Sequence, residues 1–315
     1  MSEKFRVVVS EPLEDHALAY LAEHGCEVVH TDKDHVGEHL ADADALVVRT
    51  YTQVDAALLA GAPRLKVVGR AGVALENIDV PACRAAGVEV VHTPAANTLA
   101  VVDHTVAMML LMNRRFWFLQ GPVSAEEFHA IRKRSFGHFL SDLTLGIVGV
   151  GRIGSRVGRA AAGLGMTVLY NDIRPVELDY PAREVDKPTL FAESDIVTIH
   201  VPLTNLTRGM INAAALGQFK QGAQFINAAR GECMDASAVA EAIRSGRLSA
   251  AAIDTHHPEP LPADYPLFGL DNVLLTAHIA ARVPAATAAM CDVVLDVVRV
   301  LNGQTPEYPA LEGSY

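Results

Sequence analysis

Basic residues are scarce in this 315-residue chain. It has 26 lysines and arginines against 37 aspartates and glutamates, a formal net charge of −11. A surface of that sign repels phosphate backbones, so nucleic acid is not expected as a partner, and an anionic substrate would need local arginines. The four cysteines, Cys26, Cys83, Cys233 and Cys291, form no CxxC pair. No disulfide framework is suggested, and a reducing cytoplasm fits. Long apolar runs are missing. The longest, around 106–112, is too short to span a bilayer and follows Asp103 and His104, so no membrane association is expected. The start, Met-Ser-Glu-Lys-Phe-Arg, has no apolar segment of a secretory signal. HExxH-type spacing is absent, and adjacent residues such as His256 and His257 rarely share one ion, so no metal is expected. Low-complexity tracts and short-period repeats are absent as well.

What is present starts with core material: half of the residues are apolar, and the length suffices for two domains. Near the middle stands Gly149-Val150-Gly151-Arg152-Ile153-Gly154. An apolar strand-like run, 143–148, precedes it, a helical stretch, 155–165, follows, and a second strand, 166–171, ends at Asp172, eighteen residues past the last glycine. Strand, glycine turn, helix, strand and acid together predict dinucleotide binding. Gly149 permits the tight turn, Gly151 lets the backbone approach a pyrophosphate, and Gly154 lets the helix pack closely. The pyrophosphate would sit on N–H groups at the helix N-terminus. Asp172 would accept hydrogen bonds from the adenosine ribose, which favours NAD over NADP; nearby Arg174 weakens that preference a little.

The 140 residues before this motif have their own α/β rhythm but no glycine turn. Segments 5–10, 26–30, 45–49, 65–69 and 88–92 read as strands, with helices such as 14–24 and 80–86 between them, which implies a parallel sheet covered on both faces. Segment 98–118 reads as a long apolar helix that leaves the first unit for the second, with Thr98 as N-cap. It either meets a partner subunit or lies in the core of one chain, and the pattern allows both. His104 is expected to order the start of that helix. After Asp172, strands 196–201, 223–227, 250–254 and 273–276 extend the second sheet to at least six. A last amphipathic helix, 284–302, follows the nucleotide unit and is expected to return to the first domain.

Five further segments carry a family likeness. Segment 69–79, containing Arg70, Gly72 and Val73, looks like a substrate loop, and His200-Val201-Pro202-Leu203-Thr204-Asn205-Leu206-Thr207 looks like a loop near the cofactor. Asn227-Ala228-Ala229-Arg230-Gly231, then Asp254 with Pro258-Glu259-Pro260, then Ala277-His278-Ile279-Ala280 follow in order. In these motifs, over nearly its whole length, the chain resembles the D-isomer-specific 2-hydroxyacid dehydrogenases. The resemblance implies an α/β fold of two doubly wound parallel-sheet domains, one Rossmann-type and NAD-binding, the other flavodoxin-like and discontinuous. It places a substrate (catalytic) domain at 1–97 plus 286–315 and an NAD-binding domain at 98–285. It implies a cytoplasmic homodimer that interconverts a 2-hydroxy acid of D configuration and its 2-oxo acid with NAD.

Physical roles follow for the matched residues. Arg230, planar and always charged, suits the substrate carboxylate and the oxyanion that grows on the carbonyl. His278 suits proton delivery, since an imidazole titrates at about 6.5. Glu259 would hydrogen-bond that imidazole and favour its protonated form. The resemblance adds Arg152, Ile153, Pro202, Thr207, Ala228 and Asp254 to the cofactor contacts, Asp254 through the carboxamide. It adds Arg49, Arg70, Gly72, Val73 and Asn97 on the substrate side, with free N–H groups around Gly72 and Val73 as an anion nest. Arg49, Arg70 and Arg282 could form a cationic rim for a second anionic group, or could be solvated or paired with acids. Three positions depart from the family pattern: Ala277 where proline is usual, the stretch 281–284, and His256 where an aromatic residue is common. The chain ends at Tyr315, so a C-terminal regulatory domain is not expected. Two other readings stay open at this point, a non-enzymatic NAD-sensing scaffold and a reductase for an unusual small acid such as formate or phosphite.

Overall fold

The computed structural model describes residues 4–114 and 119–311. The chain forms two compact units, Met1–Asn97 with Ala281–Tyr315, and Thr98–Ala280.

The first unit holds five strands: β1 (Phe5–Val9), β2 (Cys26–His30), β3 (Ala45–Val48), β4 (Val67–Arg70) and β5 (Glu89–His92). All pair in parallel in the order β2-β1-β3-β4-β5, a flavodoxin-like order. Every residue of β3 is buried, which is why it reads as an unbroken apolar run. The C-terminal helix Val293–Leu301 belongs here: Val293, Val294 and Val297 pack with Val7, Val9, Val47 and Val67. Gly69 makes room for it, since a Cβ there would lie 2.6 Å from Val297 Cγ2. The predicted helix 284–302 is in fact two, Pro284–Cys291 and Val293–Leu301, broken at Asp292. Aspartate competes for local hydrogen bonds and suits helix ends; this one turns its carboxylate to His16 Nε2 at 3.0 Å.

The second unit holds seven parallel strands: β6 (Thr144–Val148), β7 (Thr167–Asn171), β8 (Arg183–Glu184), β9 (Ile196–Ile199), β10 (Ala223–Asn227), β11 (Leu248–Ile253) and β12 (Val273–Leu275). Their order is β12-β11-β10-β9-β6-β7-β8, the Rossmann arrangement with one extra strand. The order reverses between β6 and β9, and ligands of such sheets bind outside the carboxyl ends of the strands at that point.

The long apolar segment forms the helix Thr98–Arg114; residues 115–118 of the expected helix lie outside the described residues. Its Met108, Met109 and Met112 pack on Leu145, Ile147 and Val157, so one face is core of its own unit. The sequence reading has no counterpart for the helix Ala125–Arg134, which buries none of its residues and so lacks an apolar stripe. Among the described residues no helix is long and apolar enough to cross a membrane.

Candidate active site

The glycine turn leaves β6 at the switch point. Gly149 has φ +90, and a Cβ there would lie 2.8 Å from the His200 carbonyl oxygen, so a side chain is excluded on two grounds. A Cβ on Gly154 would stand 2.0 Å from the Gly149 carbonyl oxygen. Gly154 therefore lets the helix Gly154–Gly163 start against the turn itself. Above Gly151 the space is open, with no atom within 4 Å of an added Cβ, and no side chain caps the helix. Gly151→Ala should accordingly leave the melting temperature within about 1 °C and raise Kd for NADH about tenfold, a loss of about 1.4 kcal/mol. Unaltered affinity in a titration would remove the close-approach role of that glycine.

Other residues expected around a cofactor lie in this turn or follow β7, β9 and β10. Asp172 closes the turn from β7, its carboxylate accepting from Val150 N at 2.8 Å and Arg174 N at 3.0 Å. Ile153 packs with Val101, Ala228 and Ala280. Arg152 is exposed and its carbonyl accepts from the Arg156 guanidinium. The segment from Pro202 to Thr207 folds on itself, the Thr207 hydroxyl donating to the Pro202 carbonyl at 2.6 Å. One residue there has no assigned role. His200 bonds Thr198 Oγ1 through Nε2 at 3.0 Å, whereas its Nδ1 is buried without a partner. An open space over Gly151, an uncapped helix and an orphaned ring nitrogen beside the turn fit a bound dinucleotide.

Burial pushes the His200 imidazole down to about 4. The unfolded chain takes up a proton there below about 6.5 that the folded chain refuses until about 4. Stability must therefore fall as pH drops through that window. The residue as a whole is only half-buried, so the loss is about 2 kcal/mol rather than the full shift. His200→Asn should flatten this limb in urea melts at pH 7 and 4.5; an identical slope in both proteins would count against it.

The three groups expected to react lie on loops at the carboxyl ends of β10, β11 and β12. Arg230 follows β10. Asn227, wholly buried, shapes its turn by donating to the Arg230 carbonyl at 2.9 Å and accepting from Ala229 N at 3.0 Å. Gly231 then passes against the loop after β11: a Cβ there would lie 2.0 Å from the His256 carbonyl carbon. On that second loop Glu259 accepts from His256 N at 2.8 Å through Oε1. Its Oε2 accepts from Nδ1 of His278 at 3.0 Å, and both side chains keep solvent access, 39% for Glu259 and 47% for His278. The structure thus brings Glu259 and His278 into contact and runs the Arg230 turn against the loop that carries Glu259.

His278 sits at φ +52, the left-handed region. For a residue with a Cβ this costs roughly 1–2 kcal/mol unless neighbours impose it. Asp254 imposes it. Its carbonyl accepts from His278 N at 2.8 Å. Its carboxylate accepts from Thr276 Oγ1 at 2.6 Å, Ile279 N at 2.9 Å and Ala280 N at 3.0 Å. His104 Nε2 stands 3.4 Å from the same carboxylate. Burial alone would push this carboxyl up, but the hydrogen bonds from His104, Thr276 and the two amides outweigh it and hold it well below the usual carboxylate range. Asp254 was expected to face the cofactor carboxamide; here it is wholly buried and grips the histidine turn. His104 likewise does more than order a helix start, and no local pattern connects it to residues 150 positions away.

The substrate-side residues belong to the first unit and differ from expectation in one respect. The Gly72 amide is not free: the chain doubles back at φ +150 and Gly72 N donates to the Arg70 carbonyl at 2.8 Å. The Val73 carbonyl accepts from His92 Nδ1 at 2.8 Å. Arg70 lies over Gly72, its Nη1 1.5 Å from where a Cβ would be. Arg49 Nη1 donates to the Pro12 carbonyl at 3.1 Å, and the Glu11 carboxylate beside it accepts the amides of Arg49, Thr50, Tyr51 and Thr52. That corner carries an acid as well as a cation. Asn97 is half-buried at the end of the unit, and Arg282 is exposed.

A family model described as D-isomer specific 2-hydroxyacid dehydrogenase, NAD binding domain, matches residues 106–280. A D-3-phosphoglycerate dehydrogenase of Archaeoglobus fulgidus is 37% identical over 307 residues, 95% of this chain and 58% of the relative; the chain thus spans little more than half of that protein. A hydroxypyruvate reductase of Thermotoga maritima is 36% identical, over 90% of this chain and 94% of the relative. Among solved structures, the TT0316 protein of Thermus thermophilus superposes with a TM-score of 0.86 at 33% identity, covering 98% of this chain and all of that one.

Proposed function

The chain belongs to the D-isomer specific 2-hydroxyacid dehydrogenases, and on that premise we propose that it interconverts a short D-2-hydroxy acid and its 2-oxo acid with NAD. The observation that carries the reading is the 3.0 Å contact between His278 Nδ1 and Glu259. NADH, when bound, supplies a hydride to the carbonyl carbon of the 2-oxo acid. His278 gives a proton to the carbonyl oxygen, so one hydride and one proton complete the alcohol. Its Nδ1 is committed to Glu259, which leaves Nε2 as the donor. Arg230 holds the substrate carboxylate and offsets charge growing on the oxygen. In the oxidative direction His278 takes the proton back as a base.

Gly149, Gly151, Arg152, Ile153, Gly154, Asp172, Pro202, Thr207 and Ala228 remain the proposed cofactor contacts, with Asp254 behind them holding the histidine turn, and Arg49, Arg70, Gly72, Val73 and Asn97 the proposed substrate contacts. The scaffold reading gains no support from relatives named as dehydrogenases and reductases. A homodimer is part of the proposal: the helix Ala125–Arg134 buries no residue, and Phe128, Phe136 and Phe139 around it are exposed. All four cysteines are free and buried, which supports the reducing cytoplasm as the compartment.

The test is to mix purified protein and NADH with phosphohydroxypyruvate, hydroxypyruvate, glyoxylate, pyruvate and oxaloacetate and follow loss of reduced-cofactor absorbance. Turnover of at least one acid is expected. No turnover of any would sink the reading. Should phosphohydroxypyruvate be a substrate, Arg49→Ala must raise its KM for the cationic rim to stand.

A further inference from the structure

His256, where the family commonly has an aromatic residue, is absorbed by none of the roles above, yet it touches both halves of the reacting pair. Its main chain donates to Glu259 Oε1 at 2.8 Å. Its ring reaches the other loop, Nε2 standing 2.7 Å from the Thr276 carbonyl oxygen, two residues before His278. A carbonyl can only accept, so the ring proton is on Nε2. Nδ1 is then an acceptor, and the Tyr265 hydroxyl lies 3.2 Å from it with the rings edge to face at 86°. Tyr265 stays a donor because burial, with the Glu259 carboxylate near, pushes its phenol up to about 12. Tyr265 is itself locked in the core of the unit with Leu267 and Phe225. His256 is 5% exposed, shielded from bulk water.

We propose that His256 is a positioning residue: its imidazole ties the strand end that carries His278 to the loop that carries Glu259, and so sets the separation of the two. The observations that carry this are the two ring hydrogen bonds and the backbone bond to Glu259, all from one residue. A phenyl ring of similar size could fill the same slot and keep the backbone bond, but it has no donor for the Thr276 carbonyl. That half-buried carbonyl would lose its donor, and the segment 276–278 would relax away from Glu259. A displacement of about 1 Å at reacting groups is worth as much as a hundredfold in rate. The inference rests on the proposed role of the Glu259–His278 pair, and its test keeps the two apart.

Two variants serve. His256→Phe removes both ring bonds and keeps the volume. His256→Gln keeps a donor that can reach the Thr276 carbonyl. With the best substrate of the panel, His256→Phe should lower kcat about 30-fold while KM and the Kd for NADH stay within about twofold, and His256→Gln should recover to within about fivefold of the parent. A second readout needs no activity. Ring 15N shifts of the histidines, with the His278 signals identified by their loss in His278→Ala, should show the Nδ1–H form of His278 in the parent and in His256→Gln. In His256→Phe the proton should move to Nε2. Parent-like kcat in His256→Phe, equal impairment of both variants, or an unchanged His278 tautomer would each overturn the inference. If His278→Ala turns over normally, the functional reading falls, and the tautomer readout still decides the positioning claim.

Discussion

Replacing His278 should cut kcat by about 10³ while the Kd for NADH stays within about twofold of the parent. The expectation follows from where the parts sit. The glycine turn and Asp172 lie at the ends of β6 and β7, whereas His278 follows β12 at the far side of the same sheet. Removing the imidazole therefore takes away the proton donor without touching the turn that faces a dinucleotide. His278→Ala alone is open to an objection, because φ at this position is +52 and alanine pays the full cost of a left-handed conformation. His278→Asn answers it: asparagine tolerates that region, so the turn persists and only the acid is lost. Both variants should be equally slow in pre-steady-state reduction of the 2-oxo acid. If His278→Asn kept a tenth or more of the parent rate, the proton would have to come from another group.

How far this site could be read from the amino-acid order depends on the range of the contacts. All the described strands but one are visible as short apolar runs, because strands covered on both faces have little freedom of composition; the exception is β8, two exposed charged residues with no such run. The glycine turn is visible because its spacing is local, although the structure excludes a side chain only at Gly149 and Gly154 and leaves open space over Gly151. Arg230, Glu259 and His278 are named by local motifs, and the structure adds what the motifs do not say. Gly231 is required by the backbone of His256, 25 positions later, and Asp254 holds the turn of His278 rather than standing exposed. His104 and Asp254 approach to 3.4 Å from 150 residues apart, a pairing that no periodicity encodes. The break at Asp292 was hidden inside an amphipathic pattern that continues through it. The helix Ala125–Arg134 was hidden for the opposite reason, having no apolar face; only Ser124, which caps it by accepting from Glu127 N, and its basic last turn give it away. In the expected anion nest the Gly72 amide is taken up by a contact only two residues long, since a glycine can donate to a carbonyl beside it as readily as to a ligand.

Asp254→Asn should destabilise the protein by about 3 kcal/mol and slow turnover by about 10². The substitution changes the side-chain volume hardly at all, so packing is not the cause. Both carboxylate oxygens accept hydrogen bonds from donors that cannot turn away: the amides of Ile279 and Ala280 are fixed by the chain. An asparagine must place its own NH2 against one of them or against the Thr276 hydroxyl, and no water reaches a residue that is 0% exposed. One donor is left buried and unpaired, and the turn is no longer held against the strain at His278. The pH dependence separates this from a nonspecific defect. A carboxyl depressed in the folded state stabilises fully above its unfolded value of about 3.9 and loses that contribution as pH falls toward its folded value. The deficit of Asp254→Asn in urea melts should therefore be constant from about pH 5 to 7 and shrink only below about pH 4, where the parent surrenders the same interaction. A deficit under about 0.5 kcal/mol, or one that changes between about pH 5 and 7, would mean that the charge on Asp254 does not hold the histidine turn.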